Sequence, residues 1–315
     1  MSSKTIAKFL AFVISISALV LGFTACGAIK PSSAERAVND AFFPPRNVGK
    51  IANPDVVEAS GLAASKCQPD VFWTHNDSGD GAFIFAVNTA GENLGTWRIP
   101  NAQNNDWEDI AEFKDATGKC YVYIGDIGNN GGKQRAHSIY RVAEPIVSAG
   151  SRNTTEKNSL VTEPAELLSF SYPSKVHDAE TLIVHPVSGD IYVLSKSKQE
   201  PSVVYKLSPV FGSNQPLQAR PIAEIRLPSI PLGLLTGGDA ASDGRRVILC
   251  DYIDGYELTL PAGDNTFDDI WKQQPVRIDL GPRDTGEAVT YNNDASVIYA
   301  TTEGAKAPII EVRRK

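Results

Sequence analysis

An acidic residue followed by small apolar residues and a strand recurs five times along this chain, and that recurrence limits the fold more than any other feature. The openings are Glu58-Ala59-Ser60-Gly61-Leu62-Ala63, Trp107-Glu108-Asp109-Ile110-Ala111, Asp178-Ala179-Glu180-Thr181-Leu182, Gly238-Asp239-Ala240-Ala241 and Gly286-Glu287-Ala288-Val289. Their acidic residues are 50, 72, 59 and 48 residues apart. A four-stranded propeller blade takes about 40–50 residues, and a repeat of that period cannot bury its apolar face alone. The 72-residue interval holds a polar stretch, 147–164, that reads as a loop insertion within one blade. Between the openings lie short β-branched and aromatic runs, among them Phe83-Ile84-Phe85-Ala86-Val87, Tyr121-Val122-Tyr123-Ile124 and Ile191-Tyr192-Val193-Leu194. Such runs, separated by turn residues and without sustained helical periodicity, are strands.

The expected fold is therefore all-β, a β-propeller of five blades, with six as the alternative. Ala63, Ala64, Ala111, Ala240, Ala241 and Ala288 suit innermost strands crowded around a narrow axis. The last blade has three strands before the chain ends, after Ile309-Ile310-Glu311-Val312. The segment Asn47-Val48-Gly49-Lys50-Ile51 is expected to complete it and to remove the open edge.

The start of the chain reads as targeting sequence. Lys4 and Lys8 precede an apolar run from Phe9 to Phe23, which ends in Thr24-Ala25-Cys26-Gly27. Small residues before a cysteine in this setting resemble a bacterial lipobox. The resemblance implies lipidation of Cys26 and anchoring in the bacterial cell envelope. An ordinary secretory signal or an N-terminal membrane anchor is the alternative. The expected organisation is a signal over 1–26, a flexible tether over 27–45 and one propeller over 46–315. Export permits disulfides. Cys67 and Cys120 both fall in first-to-second-strand loops of adjacent blades, so they are expected to pair. Cys250 follows Val247-Ile248-Leu249 in a strand and is expected to be a buried free thiol.

In a propeller, the loop into each inner strand and the loop between its second and third strands share one face. Glu58, Glu108, Glu180, Asp239 and Glu287 are thus expected around one mouth of the channel. Asp77 and Asp126 lie in surrounding loops. Like charges so close must share protons, accept backbone hydrogen bonds from neighbouring blades, or bind a cation. Oxygen ligands without a His or Cys cluster favour calcium. The bland alternative is a set of carboxylates that only tie blades together. His75, His137 and His177 are the candidate general bases, whereas His185 reads as a turn residue. Lys133, Arg135, Lys196, Lys198 and Arg283 also fall in loops of this face, where they meet either solvent or an anionic substrate. A net charge of −7 argues against a nucleic-acid partner.

Openings such as Glu58-Ala59-Ser60-Gly61-Leu62, Asp106-Trp107-Glu108-Asp109-Ile110-Ala111 and Gly286-Glu287-Ala288-Val289 resemble those of bacterial exported propellers. That broad group includes the strictosidine-synthase-like and gluconolactonase-like proteins and the esterase-like phytase domain. The blade count is similar to that of the calcium-activated nucleotidases, which implies calcium near the axis. Two functions of different class follow as expectations. One is a calcium-dependent hydrolase of ester, lactone or phosphoester substrates. The other is a non-catalytic propeller that binds a glycan, peptide or protein and holds a structural cation.

Overall fold

A computed structural model of the chain describes residues 41–129, 137–173, 178–198, 201–213, 215–228, 234–263 and 266–315. Cys26, His177, Lys133 and Arg135 lie outside the described residues. Five antiparallel sheets form a five-bladed β-propeller. Blade 1 consists of Ala59–Ala64, Phe72–Asn76, Phe83–Val87 and Asn93–Arg98, and blade 2 of Trp107–Lys114, Cys120–Asp126, His137–Ala143 and Glu166–Ser171. Blade 3 consists of Ala179–Val184, Ile191–Ser195, Ser202–Leu207 and Arg220–Ile225, and blade 4 of Gly237–Ala240, Arg246–Cys250, Asp254–Thr259 and Val276–Asp279. Blade 5 takes Ala288–Tyr291, Val297–Thr301 and Pro308–Arg313 from the end of the chain and Arg46–Lys50 from its start. Arg46 stands opposite Glu311, and Lys50 opposite Pro308. The ring is closed within a blade, as the missing fourth strand required.

Residues 41–45 differ from their expected role in a tether. Phe42 is buried and bridges Arg314, and Phe43 N donates to Arg313 O at 2.8 Å. Phe42 packs with Ile298, Ile310 and Val312 in the cluster between blades 4 and 5, which removes more apolar surface from water than a solvated linker would.

Alternation along the strands buries one set of side chains on each face of each blade, so the core divides into five clusters, each between neighbouring blades. Trp73, Ile84, Trp107 and Ile124 fill the gap between blades 1 and 2, and Tyr192, Leu194, Leu249 and Trp271 that between blades 3 and 4. Phe72, Phe85, Tyr299 and Ile309 join blade 5 to blade 1. Around the axis the inner strands approach too closely for larger residues. A Cβ at Gly237 would meet Glu287 O at 2.4 Å.

The axis is crossed by polar ties. Asp109 Oδ2 accepts from Leu182 N of blade 3 at 2.9 Å, and Asp109 also accepts from Gly238 N of blade 4. Asp239 Oδ2 accepts from Tyr291 N at 3.0 Å and Thr290 Oγ1 at 2.9 Å, both in blade 5. Thr290 Oγ1 in turn accepts from Ala64 N of blade 1 at 3.2 Å. Ser60 Oγ of blade 1 donates to Glu108 O of blade 2 at 2.9 Å. Each inner strand thus satisfies polar groups of its neighbours where water is excluded.

The chain between the third and fourth strands of a blade repeatedly reaches back over the preceding blade. From blade 2, Leu160–Val161 pairs with Trp97 and Arg98 of blade 1. From blade 3, Leu217–Gln218 pairs with Phe170 and Ser171 of blade 2. From blade 4, the 3-10 helix Phe267–Lys272 places Asp268 against Tyr192 Oη at 2.6 Å and Lys206 Nζ at 3.0 Å in blade 3. Outer edges that would otherwise offer unpaired backbone are covered.

Glu156, in the excursion onto blade 1, lies beside Asp80 and Asp55 and is pushed up to about 7 by its partial burial and by those two charges. Its amide donates to Asp55 Oδ2 at 2.8 Å. A carboxyl whose folded pKa is raised stabilises the folded arrangement below its unfolded value and ceases to as pH rises through the folded one. Amide exchange at 154–158, corrected for intrinsic rates, is therefore expected to accelerate between about pH 5 and pH 8, an interval that brackets the raised pKa and its reference value. An unchanged protection factor across that range would refute the coupling.

Cys67 and Cys120 form a disulfide between the lower loops of blades 1 and 2, with Cα atoms 6.2 Å apart. Cys250 is a buried free thiol whose pKa burial pushes up to about 11. The bridge closes a separation of 53 residues, and its removal is expected to cost about 2–4 kcal/mol. Urea unfolding of the Cys67→Ser/Cys120→Ser variant against the oxidised protein measures this; equal midpoints would contradict it.

Candidate functional site

Each inner strand begins at the same end of the channel, so the residues just before it converge there. Asp106 and Glu108 flank Trp107, and Asp178 and Glu180 flank Ala179. Both glutamates sit at register irregularities, between Trp107 and Asp109 and between Ala179 and Thr181. A bulge re-aims the extra side chain out of the ordinary alternation. Carboxylate oxygens of Asp77, Asp106 and Glu108 lie within 4.8 Å of one another, and so do those of Glu108, Asp178 and Glu180. Glu108 belongs to both groups and links blades 1, 2 and 3.

Glu108 is 2% exposed, and its Oε1 accepts no hydrogen bond among the described residues. Burial holds its carboxyl well above the usual range, helped by Glu180, Asp77, Asp106 and Asp178. Burial also pushes Asp77 up to about 6. Glu180 is raised to about 7 by burial, and Lys196, with which it forms an ion pair, restrains the rise. The Lys196 ammonium stands over the Tyr252 ring at 5.1 Å. Glu287 is pushed up to about 9 by burial, by Glu180 and by its partner Glu303. Among the described residues the mouth therefore combines desolvated carboxyls with the Lys196 ammonium on the blade 3 side, and Glu287 stands hydrogen-bonded to Glu303.

The loops around the cluster orient its members. Asp126 accepts from Asp106 N at 2.9 Å and from Asn105 Nδ2 at 2.6 Å, so it fixes the turn that presents Asp106. Asn129 N donates to Asp178 Oδ1 at 2.8 Å. Gly128 passes against the cluster, where a Cβ would sit 1.9 Å from Glu108 Oε1 and 2.8 Å from Asp106 Oδ2.

Not every residue expected at the mouth joins this cluster. Asp239 lies farther along its strand and spends its Oδ2 on Thr290 and Tyr291, so it acts as an interblade tie. Asp126 supports Asp106 and belongs to neither carboxylate group. Glu58 is exposed, close enough to act on Asp77 but outside both groups. Glu287 borders the cluster through Glu180.

The described histidines do not supply a base at the mouth. His75 is fully buried, with Nδ1 2.9 Å from Asn76 O and its ring edge-on to Trp107, and burial lowers its pKa to about 4. His137 is 1% exposed and packs against Phe170 and Tyr172 with ring centroids 5.6 and 5.0 Å away. Both point along the blade into apolar layers, because their strand positions alternate toward the core. His185 closes a turn with Ser188, as a surface turn residue does. Of the other basic residues, Lys198 is exposed and Arg283 is buried, donating to Asp251 O at 3.0 Å.

Sequence reasoning passed over Asp106, Asp178 and Glu303. The signal for the first two was present as a repeated acid-x-Glu, in Asp106-Trp107-Glu108 and Asp178-Ala179-Glu180. Glu303 carried no such signal, standing alone after the second strand of blade 5.

Neither a family model nor a curated protein sequence matches the chain. Among solved structures it is similar to a gluconolactonase from Xanthomonas campestris, at 12% identity and a TM-score of 0.44, over 87% of this chain and 95% of that one.

Proposed function

We propose that the protein is a calcium-dependent hydrolase of ester, lactone or phosphoester substrates, working at the acidic mouth of the propeller. The observation that carries the cation is Glu108, a carboxyl almost wholly removed from water, with an oxygen that accepts no hydrogen bond and four other carboxylates around it. Burial of this kind is costly unless a positive charge answers it. Asp77, Asp106, Glu108, Asp178 and Glu180 are an oxygen-only donor set, which suits a hard ion that tolerates irregular shells of six to eight ligands. A cation held there would polarise a carbonyl or phosphoryl oxygen and acidify a bound water.

The remaining residues divide the work around it. Asp126 and Asn129 hold Asp106 and Asp178 in place. Lys196 offers a positive charge to an anionic part of a substrate. Glu287, its carboxyl raised by burial, stands beside Glu303 at the rim. Export and anchoring through Cys26 form part of the same reading, supported by the charged start, the apolar run and the small residues before the cysteine. Mass spectrometry of membrane-extracted protein tests that part and should find an acylated Cys26 at the mature N-terminus.

The deciding experiment is turnover of simple carboxylic esters, lactones and phosphoesters with calcium and with a chelator. Calcium-dependent hydrolysis that falls at least about 100-fold in Glu108→Gln, in keeping with the loss of one transition-state electrostatic contact, supports the enzyme. Calcium binding without turnover of any of the three classes would favour the non-catalytic propeller. The absence of a histidine among the described residues of the mouth is the observation on that side.

A further inference from the structure

On the face opposite the acidic mouth, blades 1 and 2 meet at a second group of ligand-type side chains. The sulfurs of Cys67 and Cys120 and a carboxylate oxygen of Glu144 lie within 4.8 Å of one another. Glu144 Oε1 accepts from Gln68 Nε2 at 2.8 Å and from Trp73 Nε1 at 3.0 Å. Donors outside a cluster that fix the orientation of a carboxylate are what metal ligands commonly have. Next to Glu144 stands Glu112, 5% exposed, and neither of its oxygens makes a hydrogen bond of good geometry. The charged groups that face it are Glu144 and the partly exposed Lys66, whose backbone also adjoins it. The two carboxyls stand against each other, Glu144 beside the two sulfurs and Glu112 buried, with only the partly exposed Lys66 as an opposing charge. Cys67 is exposed, so a reductant can reach the bridge.

We propose that the disulfide is one state of a redox-dependent metal site, and that on reduction Cys67, Cys120, Glu144 and Glu112 bind a borderline divalent cation such as Zn2+. A dithiol supplies the two electrons. One of its thiolates attacks a cystine sulfur, the S–S bond breaks, and the second thiol resolves the mixed disulfide. The products are the oxidised dithiol and two cysteine thiols. Cation binding then releases both thiol protons to solvent, because thiolates are the ligands. Two sulfurs and two carboxylate oxygens are a four-coordinate zinc set, and sulfurs on a tetrahedral ion stand only about 3.8 Å apart. The loops need open little to admit the ion. Thiolates select such a cation over calcium, which keeps this site chemically separate from the oxygen-only mouth.

The test uses the full chain with calcium saturating the mouth. The protein is reduced with a dithiol, freed of it without air, and titrated with Co2+. The expected result is one equivalent bound with a thiolate-to-cobalt charge-transfer band. The band is absent from oxidised protein, from Cys67→Ser and from Cys120→Ser. Glu112→Gln is expected to weaken binding at least tenfold. Displacement of the cobalt by Zn2+ should raise the unfolding midpoint of reduced protein back toward that of oxidised protein. A folded, reduced protein without the sulfur band overturns the proposal, as does a band that persists in Cys67→Ser. If reduction unfolds the chain, failure of Zn2+ to restore near-ultraviolet dichroism overturns it equally. None of these readouts involves hydrolysis or Glu108, so the proposal and the assignment of the mouth stand or fall separately.

Discussion

Glu108→Gln is expected to shift stability in opposite directions with and without calcium. In chelator, the variant replaces a buried carboxyl crowded by four others with a neutral group of the same shape, so its unfolding midpoint should equal or exceed that of wild type. With calcium at about 100 times its dissociation constant, wild type gains about 2.7 kcal/mol by mass action. For a domain of this size that is an upward shift of about 5 °C. The variant should lose most of that gain. Thermal unfolding of both proteins in both conditions gives the four values needed. A wild-type midpoint that is the same in chelator and in millimolar calcium would refute the cation site.

The same carboxyls set the pH dependence in chelator. The folded pKa values of Asp77, Glu180 and Glu287 are raised, to about 6, 7 and 9. Raised acids stabilise the folded state below their unfolded values and lose that contribution as pH rises through the folded ones. Stability of the metal-free protein should thus fall between about pH 4 and pH 9, a window set by the ordinary carboxylate range and these raised values. Calcium should flatten that slope.

Asp109→Ala is expected to be among the most damaging single substitutions in the propeller. Asp109 is 1% exposed and accepts from Ile110 N at 2.8 Å and from Leu182 N at 2.9 Å, besides Gly238 N. Alanine leaves these donors without acceptors where water does not reach, at about 1–3 kcal/mol for each. A total loss of about 3–5 kcal/mol is therefore anticipated, because neighbouring effects are not additive. Asp109→Asn keeps one acceptor oxygen and should lose less than half as much. Urea midpoints with unchanged slopes would measure both. A loss below about 1 kcal/mol for Asp109→Ala, smaller than a single orphaned donor, would mean that the ties carry little of the ring's stability.

The ring was legible in the sequence because its causes are periodic. Five acidic openings, alanines at the crowded axis and strands of alternating pattern all report on one local unit used repeatedly. The closing strand was legible for a related reason, since a three-stranded last blade leaves an edge that residues 47–51 could cover. The mouth was legible in part. Glu108 and Glu180 show as acids at each opening, but a one-residue bulge decides whether such an acid turns into the channel or along the blade. Asp239 stands in a similar opening but in regular register, opposite Ile248, so it became a tie. His75 and His137 misled because their loops lie near the mouth while their rings follow strand alternation into aromatic layers. Glu112 and Glu144 meet within blade 2, from its first strand and from the end of its third, a proximity that no local pattern records.

The pairing of Arg46–Lys50 with Pro308–Arg313 has a consequence for how the protein is made. These strands are the farthest apart in sequence, with 265 residues between Arg46 and Glu311. Contacts of such long range are late and entropically expensive to form. While the chain is being synthesised, Arg46–Lys50 has no strand partner until Pro308–Arg313 has been made. Four blades can mature in order, but the fifth assembles only once Pro308–Arg313 follows. A chain cut short by its last eight residues would keep nearly all of its apolar core and still carry two raw strand edges. Such a molecule is a template for pairing with another copy, so incomplete synthesis is expected to yield aggregates in place of a slightly shorter propeller.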